Sequence, residues 1–244
     1  MVIECGFSIF TQGSFTNSTH RFILPSSQYY HISKIMALVV YLKPASILDI
    51  GVGFGKYGVL CREYLELWDG RGNYSEFLRR IDGVEAFKDY ITPLHKFVYN
   101  RLYDEDAMDI IDKIDTAYDL VLLIDVLEHF SKEQGNSLLS KIMRNNKGVI
   151  ISTPKKVSDQ KEAFNNKYEI HKSQWTKYEL SAHGESFFLT DPVSHIVYLS
   201  NNKNQVASLR NEFLMRRLKQ IPAMDFFIRT LKRLIAKYKR RIGG

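Results

Sequence analysis

Residues 46–58, Ser-Ile-Leu-Asp-Ile-Gly-Val-Gly-Phe-Gly-Lys-Tyr-Gly, carry a short apolar run straight into a cluster of glycines. A strand that breaks into glycines and then resumes with helical periodicity brings a nucleotide-like ligand against the main chain at a strand-to-helix junction. Gly51, Gly53 and Gly55 permit backbone conformations closed to residues with a Cβ, and Gly58 lets the following helix pack closely. Gly53, Gly55 and Gly58 also satisfy the Gly-x-Gly-x-x-Gly fingerprint of dinucleotide sites, but the phase differs. In that fingerprint the first glycine closes the strand, whereas here Asp49-Ile50-Gly51-Val52 intervenes and an acid closes it.

The residues that follow repeat the alternation of strand and helix. Tyr57, Leu60, Cys61, Tyr64, Leu65 and Trp68 fall on one helical stripe, which predicts a crossover to a second strand at Arg80–Val84. Glu85 closes that strand, where a doubly wound fold places a carboxylate for ribose hydroxyls. Tyr118–Phe130 holds a continuous apolar run suited to a central parallel strand buried on both faces, and the run ends at Asp125. Lys147–Pro154 predicts a fifth strand, while Phe187–Leu189 and Ile196–Leu199 predict a closing hairpin. Ahead of these, Tyr29–Leu42 predicts an amphipathic helix, capped by Ser26 or Ser27 and stopped near Pro44.

The acid-x-Gly-x-Gly-x-Gly order at Asp49–Gly55 resembles motif I of the class I S-adenosylmethionine-dependent methyltransferases. Arg101–Met108 resembles their third motif, and Asp125-Val-Leu-Glu-His129 is similar to the fourth motif of the type 11 and ubiquinone-biosynthesis-like group. The resemblance spans about residues 28 to 200. It implies an α/β, Rossmann-like doubly wound, mostly parallel seven-stranded sheet with an antiparallel closing strand. The implied cofactor is S-adenosylmethionine. Asp49, Gly51, Gly53 and Gly55 would take its methionine end, Glu85 the ribose, and Asp125 the sulfonium side or the ammonium group. Asp106, with the amide of Ala107 beside it, would read the adenine; Asp104 is its rival.

An acceptor hydroxyl needs a base, and an imidazole titrates near neutrality. His129, after the fourth strand, and His171, in the segment where acceptor-binding residues of these enzymes sit, are the two candidates, ahead of His183 and His195. Asp125, Glu128 and His129 are spaced i, i+3, i+4, so on a first helical turn they would share a face with His171 as a fourth ligand. That pattern partly resembles the magnesium arrangement of some O-methyltransferases, but the second segment departs from it and no metal is assigned. Tyr29 and Tyr30 are second-rank candidates to cover the cofactor.

Charge divides the chain unevenly. Residues 201–244 hold twelve Lys or Arg against Glu212 and Asp225, a net +10, and the preceding 200 residues carry −3. The expected organisation is a methyltransferase domain over 1–200, with 1–45 as a helical cap, and a basic amphipathic helical tail over 201–244. In the tail, Met224, Phe227, Ile228, Leu231, Leu234, Ile235 and Tyr238 form an apolar stripe flanked by Arg229, Lys232, Arg233, Lys237 and Arg240. Such a helix can dock on its own domain or a second subunit, lie on an anionic membrane through 222–242, or, less favoured, contact nucleic acid. With only Cys5 and Cys61, no secretory signal and no apolar run of spanning length, the expected location is cytoplasmic, peripheral to the inner membrane face if the tail binds lipid. A small-molecule, glycan or lipid-linked hydroxyl is the expected acceptor. The rivals are a nicotinamide-dependent oxidoreductase, for which no Tyr-x-x-x-Lys pair can be placed, and a non-catalytic cofactor-binding module.

Overall fold

Alternation of apolar residues on both faces of the predicted strands requires a sheet covered on two sides, and the structure builds one. The computed structural model describes residues 29–68, 76–156 and 166–222, together with positions 224, 226, 230 and 233. Seven strands, β1 (Ser46–Ile50), β2 (Arg80–Val84), β3 (Arg101–Tyr103), β4 (Leu120–Ile124), β5 (Gly148–Pro154), β6 (Glu185–Leu189) and β7 (Ser194–Ser200), form one sheet. Its order is β3-β2-β1-β4-β5-β7-β6, and β7 runs antiparallel to both its neighbours.

The helices are α1 (Ile32–Leu42), α2 (Lys56–Arg62), α3 (Pro93–Val98), α4 (Ala107–Ile110), α5 (Lys132–Asn145), α6 (Lys177–Ser181) and α7 (Lys203–Lys219). On one face Leu120, Leu122, Ile124, Ile47 and Ile81 pack with α1, α2 and the end of α3. On the other, Val121, Leu123, Leu48 and Ile151 pack with α4, α5 and Trp175. Every residue of β4 is buried, which explains its unbroken apolar sequence.

The first helix differs from its expected start. Tyr29–His31 is a 3-10 turn, α1 begins at Ile32, and His31 at its N-cap makes no side-chain cap bond; Ser26 and Ser27 lie outside the described residues. The helix ends as Lys43 takes a left-handed conformation, φ 47°, just before Pro44.

Within 201–244, α7 is docked. Val206 and Leu209 are buried, the Tyr41 hydroxyl meets Ser208 Oγ at 2.8 Å, Phe213 packs on Tyr41 and Phe187, and Arg210 donates to the Ser186 carbonyl. The apolar stripe beyond it lies outside the described residues except Met224. Among the described residues no helix is long and apolar enough to cross a membrane.

Candidate functional site

The carboxyl ends of β1, β2, β4 and β5 converge where the strand order reverses, the place where ligands gather in open α/β sheets. At its centre is the loop between β1 and α2. Gly51, Gly53 and Gly55 all have positive φ, at 74°, 51° and 86°, so the conformational freedom read from the sequence is used. A Cβ on Gly51 would stand 2.4 Å from Val126 Cγ2, whereas one on Gly53 would meet nothing within 4 Å among the described residues. Gly53 therefore presents bare main chain to open space, the approach a ligand needs. Gly58 allows close packing of α2 against the end of α3: a Cβ there would strike Tyr99 at 2.5 Å and Val98 at 2.7 Å.

The loop is held from two sides. Glu85 accepts from the Gly53 amide at 2.9 Å with one oxygen and from the Phe87 amide at 2.9 Å with the other. His95, fully buried in α3, reaches the Gly53 carbonyl through Nε2 at 2.7 Å. Asp49, under the loop, accepts from the Tyr99 hydroxyl at 2.7 Å, and burial pushes its carboxyl up to about 6. Sequence reasoning missed His95. Its signal was local: Thr92 followed by Pro93 is a helix N-terminus that puts His95 at the third helical position.

Asp106 and Asp104, rivals in the sequence, separate cleanly. Asp104 is exposed and paired with Lys88 at 2.6 Å, whereas Asp106 caps α4, accepting from Met108 N at 2.9 Å. Capping leaves Asp106 a second oxygen, and it fixes the Ala107 amide at a helix N-terminus. Asp125 ends β4 with φ 53°, a left-handed conformation unusual for a residue with a Cβ, and accepts from the Ser152 hydroxyl at 2.6 Å.

Beyond Asp125 the chain makes a 3-10 turn, Leu127–His129, instead of the α-helical first turn that would have aligned Asp125 with Glu128 and His129. The expected four-ligand face is thereby corrected to three residues: Glu128, His129 and His171 each offer a ligand atom, all within 4.8 Å of one another, and Asp125 is not among them. Two backbone bonds bring His171 in, from the Lys172 and Ser173 amides to the Glu128 carbonyl at 2.8 and 3.1 Å. Trp175, buried over Gly135 with its indole N–H on Ser173 Oγ, anchors this segment to α5. The two imidazoles lie 5.0 Å apart.

His129 Nδ1 faces the Ile170 carbonyl at 3.2 Å, and a carbonyl only accepts, so the proton sits on Nδ1 and Nε2 keeps its lone pair. Burial first, then His171 nearby, lowers His129 to about 4, so it is neutral at pH 7. Glu128 is buried, its Oε2 has no hydrogen-bond partner among the described residues, and burial holds its carboxyl well above the ordinary range. Such a set, one buried carboxyl and two imidazoles, has the chemistry of a divalent-cation site.

Two further residues went unmarked in the sequence because their partners are distant. Glu169 receives the Tyr90 hydroxyl at 3.1 Å and lies in electrostatic reach of both Glu85 and Glu128, and burial raises its carboxyl. Asp191, in the turn before β7, takes Lys34 at 2.6 Å and stands 3.3 Å from the buried His31, which ties the α1 cap to the closing hairpin. Tyr30 packs edge-on against His31, while Tyr29 is 81% exposed. His183 is bound to Asn136 and His195 packs on Phe188, both outside the cluster.

The site is acidic. Asp49, Glu85, Asp125, Glu128 and Glu169 are all shifted upward from the ordinary carboxylate value, chiefly by burial.

No protein-family model and no curated protein matches the chain. Solved structures do. The N-terminal domain of EvdMO1 with SAH bound has a TM-score of 0.52 at 15% identity, over 72% of this chain and 83% of that one. A SAM-dependent methyltransferase from Archaeoglobus fulgidus has a TM-score of 0.51 at 16% identity, over 71% of this chain and all of that one. The chain has the fold of the class I S-adenosylmethionine-dependent methyltransferases.

Proposed function

We propose that the chain is an S-adenosylmethionine-dependent methyltransferase, with its cofactor lying across the β1, β2 and β4 ends. The observation that carries this is the acidic character of a glycine-loop pocket. Three buried carboxyls, Asp49, Glu85 and Glu128, with the half-buried Asp125 and Glu169 beside them, suit a ligand bearing a sulfonium and an ammonium and disfavour the pyrophosphate of a nicotinamide dinucleotide. The residues fit such a ligand: bare main chain at Gly53 for close approach, Glu85 for hydroxyls, Asp106 with the Ala107 amide for an aminopurine edge, and Asp49 and Asp125 for positive charge. When bound, the cofactor supplies a methyl group already activated on sulfur. The protein's task is then to hold the acceptor in line and take up its proton.

The acceptor we favour is a hydroxyl on a small metabolite, glycan or lipid-linked intermediate. We assign the deprotonation to His171 in preference to His129, because an imidazole near 4 accepts a proton weakly at pH 7. A second reading has its own support in the unpartnered Glu128 Oε2 and the lone pair on His129: Glu128, His129 and His171 would hold a divalent cation that orients the hydroxyl. The basic segment 222–242 is proposed as a peripheral membrane contact, and equal liposome flotation of full-length protein and of a chain ending at residue 222 would exclude it.

Isothermal titration with S-adenosylhomocysteine against NAD tests the cofactor. Binding of the former and indifference to the latter is expected, and the reverse preference would refute the proposal.

A further inference from the structure

We infer that His95 is a positioning residue for the cofactor loop, an inference that rests on the cofactor reading above. His95 lies on α3, outside every sequence motif of the site, yet it is fully buried and uses both ring nitrogens. The Thr92 amide donates to Nδ1 at 3.1 Å, and an N–H can only donate, so Nδ1 carries no proton. Nε2 must then be the donor to the Gly53 carbonyl at 2.7 Å, since a carbonyl can only accept. One bond thus sets the tautomer that the other requires.

The effect falls on a single peptide. Gly53 has its N–H held by Glu85 and its C=O held by His95, so its left-handed conformation is fixed from the end of β2 and from α3 at once. Gly53 also has open space beside it among the described residues. The imidazole continues the support underneath, stacking on Tyr99 at 6.2 Å between centroids, and Tyr99 in turn bonds Asp49. Gly55 leaves room for the same ring, which lies 3.5 Å from where a Cβ would be. A loop ordered before the ligand arrives spares binding that ordering entropy, and loss of the His95 bond returns it.

The two ring nitrogens can be tested apart. His95→Gln keeps a donor for Gly53 and can also accept from the Thr92 amide, as Gln134 does from the Ser131 amide at the start of α5; His95→Asn can accept at the cap but cannot reach Gly53. If His95 only caps α3, the two variants will bind S-adenosylhomocysteine alike. If it positions the loop, Gln will hold S-adenosylhomocysteine within about threefold of wild type by titration calorimetry, and Asn will bind at least about fivefold more weakly. Melting temperatures are measured alongside, so that both variants are titrated well below the temperature at which either unfolds. Equal affinities for the two variants would overturn the inference. Long-range nitrogen–proton NMR of the unliganded protein should show a bare Nδ1 and a protonated Nε2 on His95, and the opposite tautomer would overturn it independently. Wild type that fails to bind S-adenosylhomocysteine would overturn the cofactor reading itself, and with it the role given to His95.

Discussion

Asp49 should make the protein less stable at neutral pH than it would be with an amide in its place. The carboxyl is 3% exposed, and its titration moves from 3.8 to about 6, with burial the largest cause, the Tyr99 hydroxyl opposing it and Glu85 adding to it. The folded state therefore binds a proton that the unfolded chain releases between those values. Stability is greatest below 3.8, falls as pH rises through the window, and is level above it. The difference of about 2.2 in pKa corresponds to about 3 kcal/mol, an order-of-magnitude figure. Asp49→Asn removes the charge and keeps an oxygen for Tyr99. Urea denaturation of wild type and variant from pH 4 to 7.5 should give a stability difference that grows by about 3 kcal/mol in favour of Asn. The comparison must be a difference, because His129 titrates over the same range with the opposite sign. Its pKa is lowered from 6.5 to about 4, so its effect destabilises the fold as pH falls through that range. A difference that stays flat with pH would refute the assignment of a buried, ligand-facing charge to Asp49.

His129→Gln should remove a stability loss that begins below pH 6.5 and is complete near pH 4, seen as a shallower acid limb in thermal melts. Gly135→Ala places a Cβ 2.4 Å from Trp175 Cζ2. Overpacking of that kind costs about 1–3 kcal/mol, more than the roughly 0.5–1 kcal/mol gained from alanine in a helix, so net destabilisation is expected in denaturant titrations. If the cation reading holds, calorimetric titration with manganese should show one site in wild type and none in Glu128→Gln or His171→Ala; heat unchanged by either substitution would discard it.

What the sequence disclosed are the features written in one stretch of chain. The glycine loop, the buried run of β4 and the acids that close β1, β2 and β4 each depend on neighbours within a few residues, and the structure puts them at one edge. What it withheld depends on partners far away. Asp191 meets Lys34 across 157 positions and Tyr90 meets Glu169 across 79, so no local pattern marks them, and the helix start at Thr92 marks the position of His95 without disclosing its bond to Gly53, 42 residues away. The four-residue face that the spacing allows does not form, for a related reason. Spacing of i, i+3, i+4 converges only on an α-helix, and a 3-10 turn at Leu127–His129 with left-handed Asp125 before it sends the aspartate to Ser152 instead.

These distant contacts explain how so many buried carboxyls can share one edge of a sheet. Each is tied to at least one donor or left to a neighbour that only a ligand would complete: Glu85 to two amides, Asp49 to Tyr99, Asp125 to Ser152, Asp191 to Lys34 and two amides, while Glu128 keeps an oxygen with no partner. Bonds to tyrosine, serine and backbone donors reduce the desolvation penalty at the glycine loop without cancelling the charge of the carboxyls that ionise. A cation arriving there would relieve the penalty that folding leaves behind, and binding and stability are then coupled through the same side chains. Saturating S-adenosylmethionine should accordingly raise the melting temperature of wild type more than that of Asp49→Asn, since the variant has already lost the charge that the ligand would satisfy. An equal rise in both would mean that the acid under the loop shapes the fold without helping to hold a positive ligand.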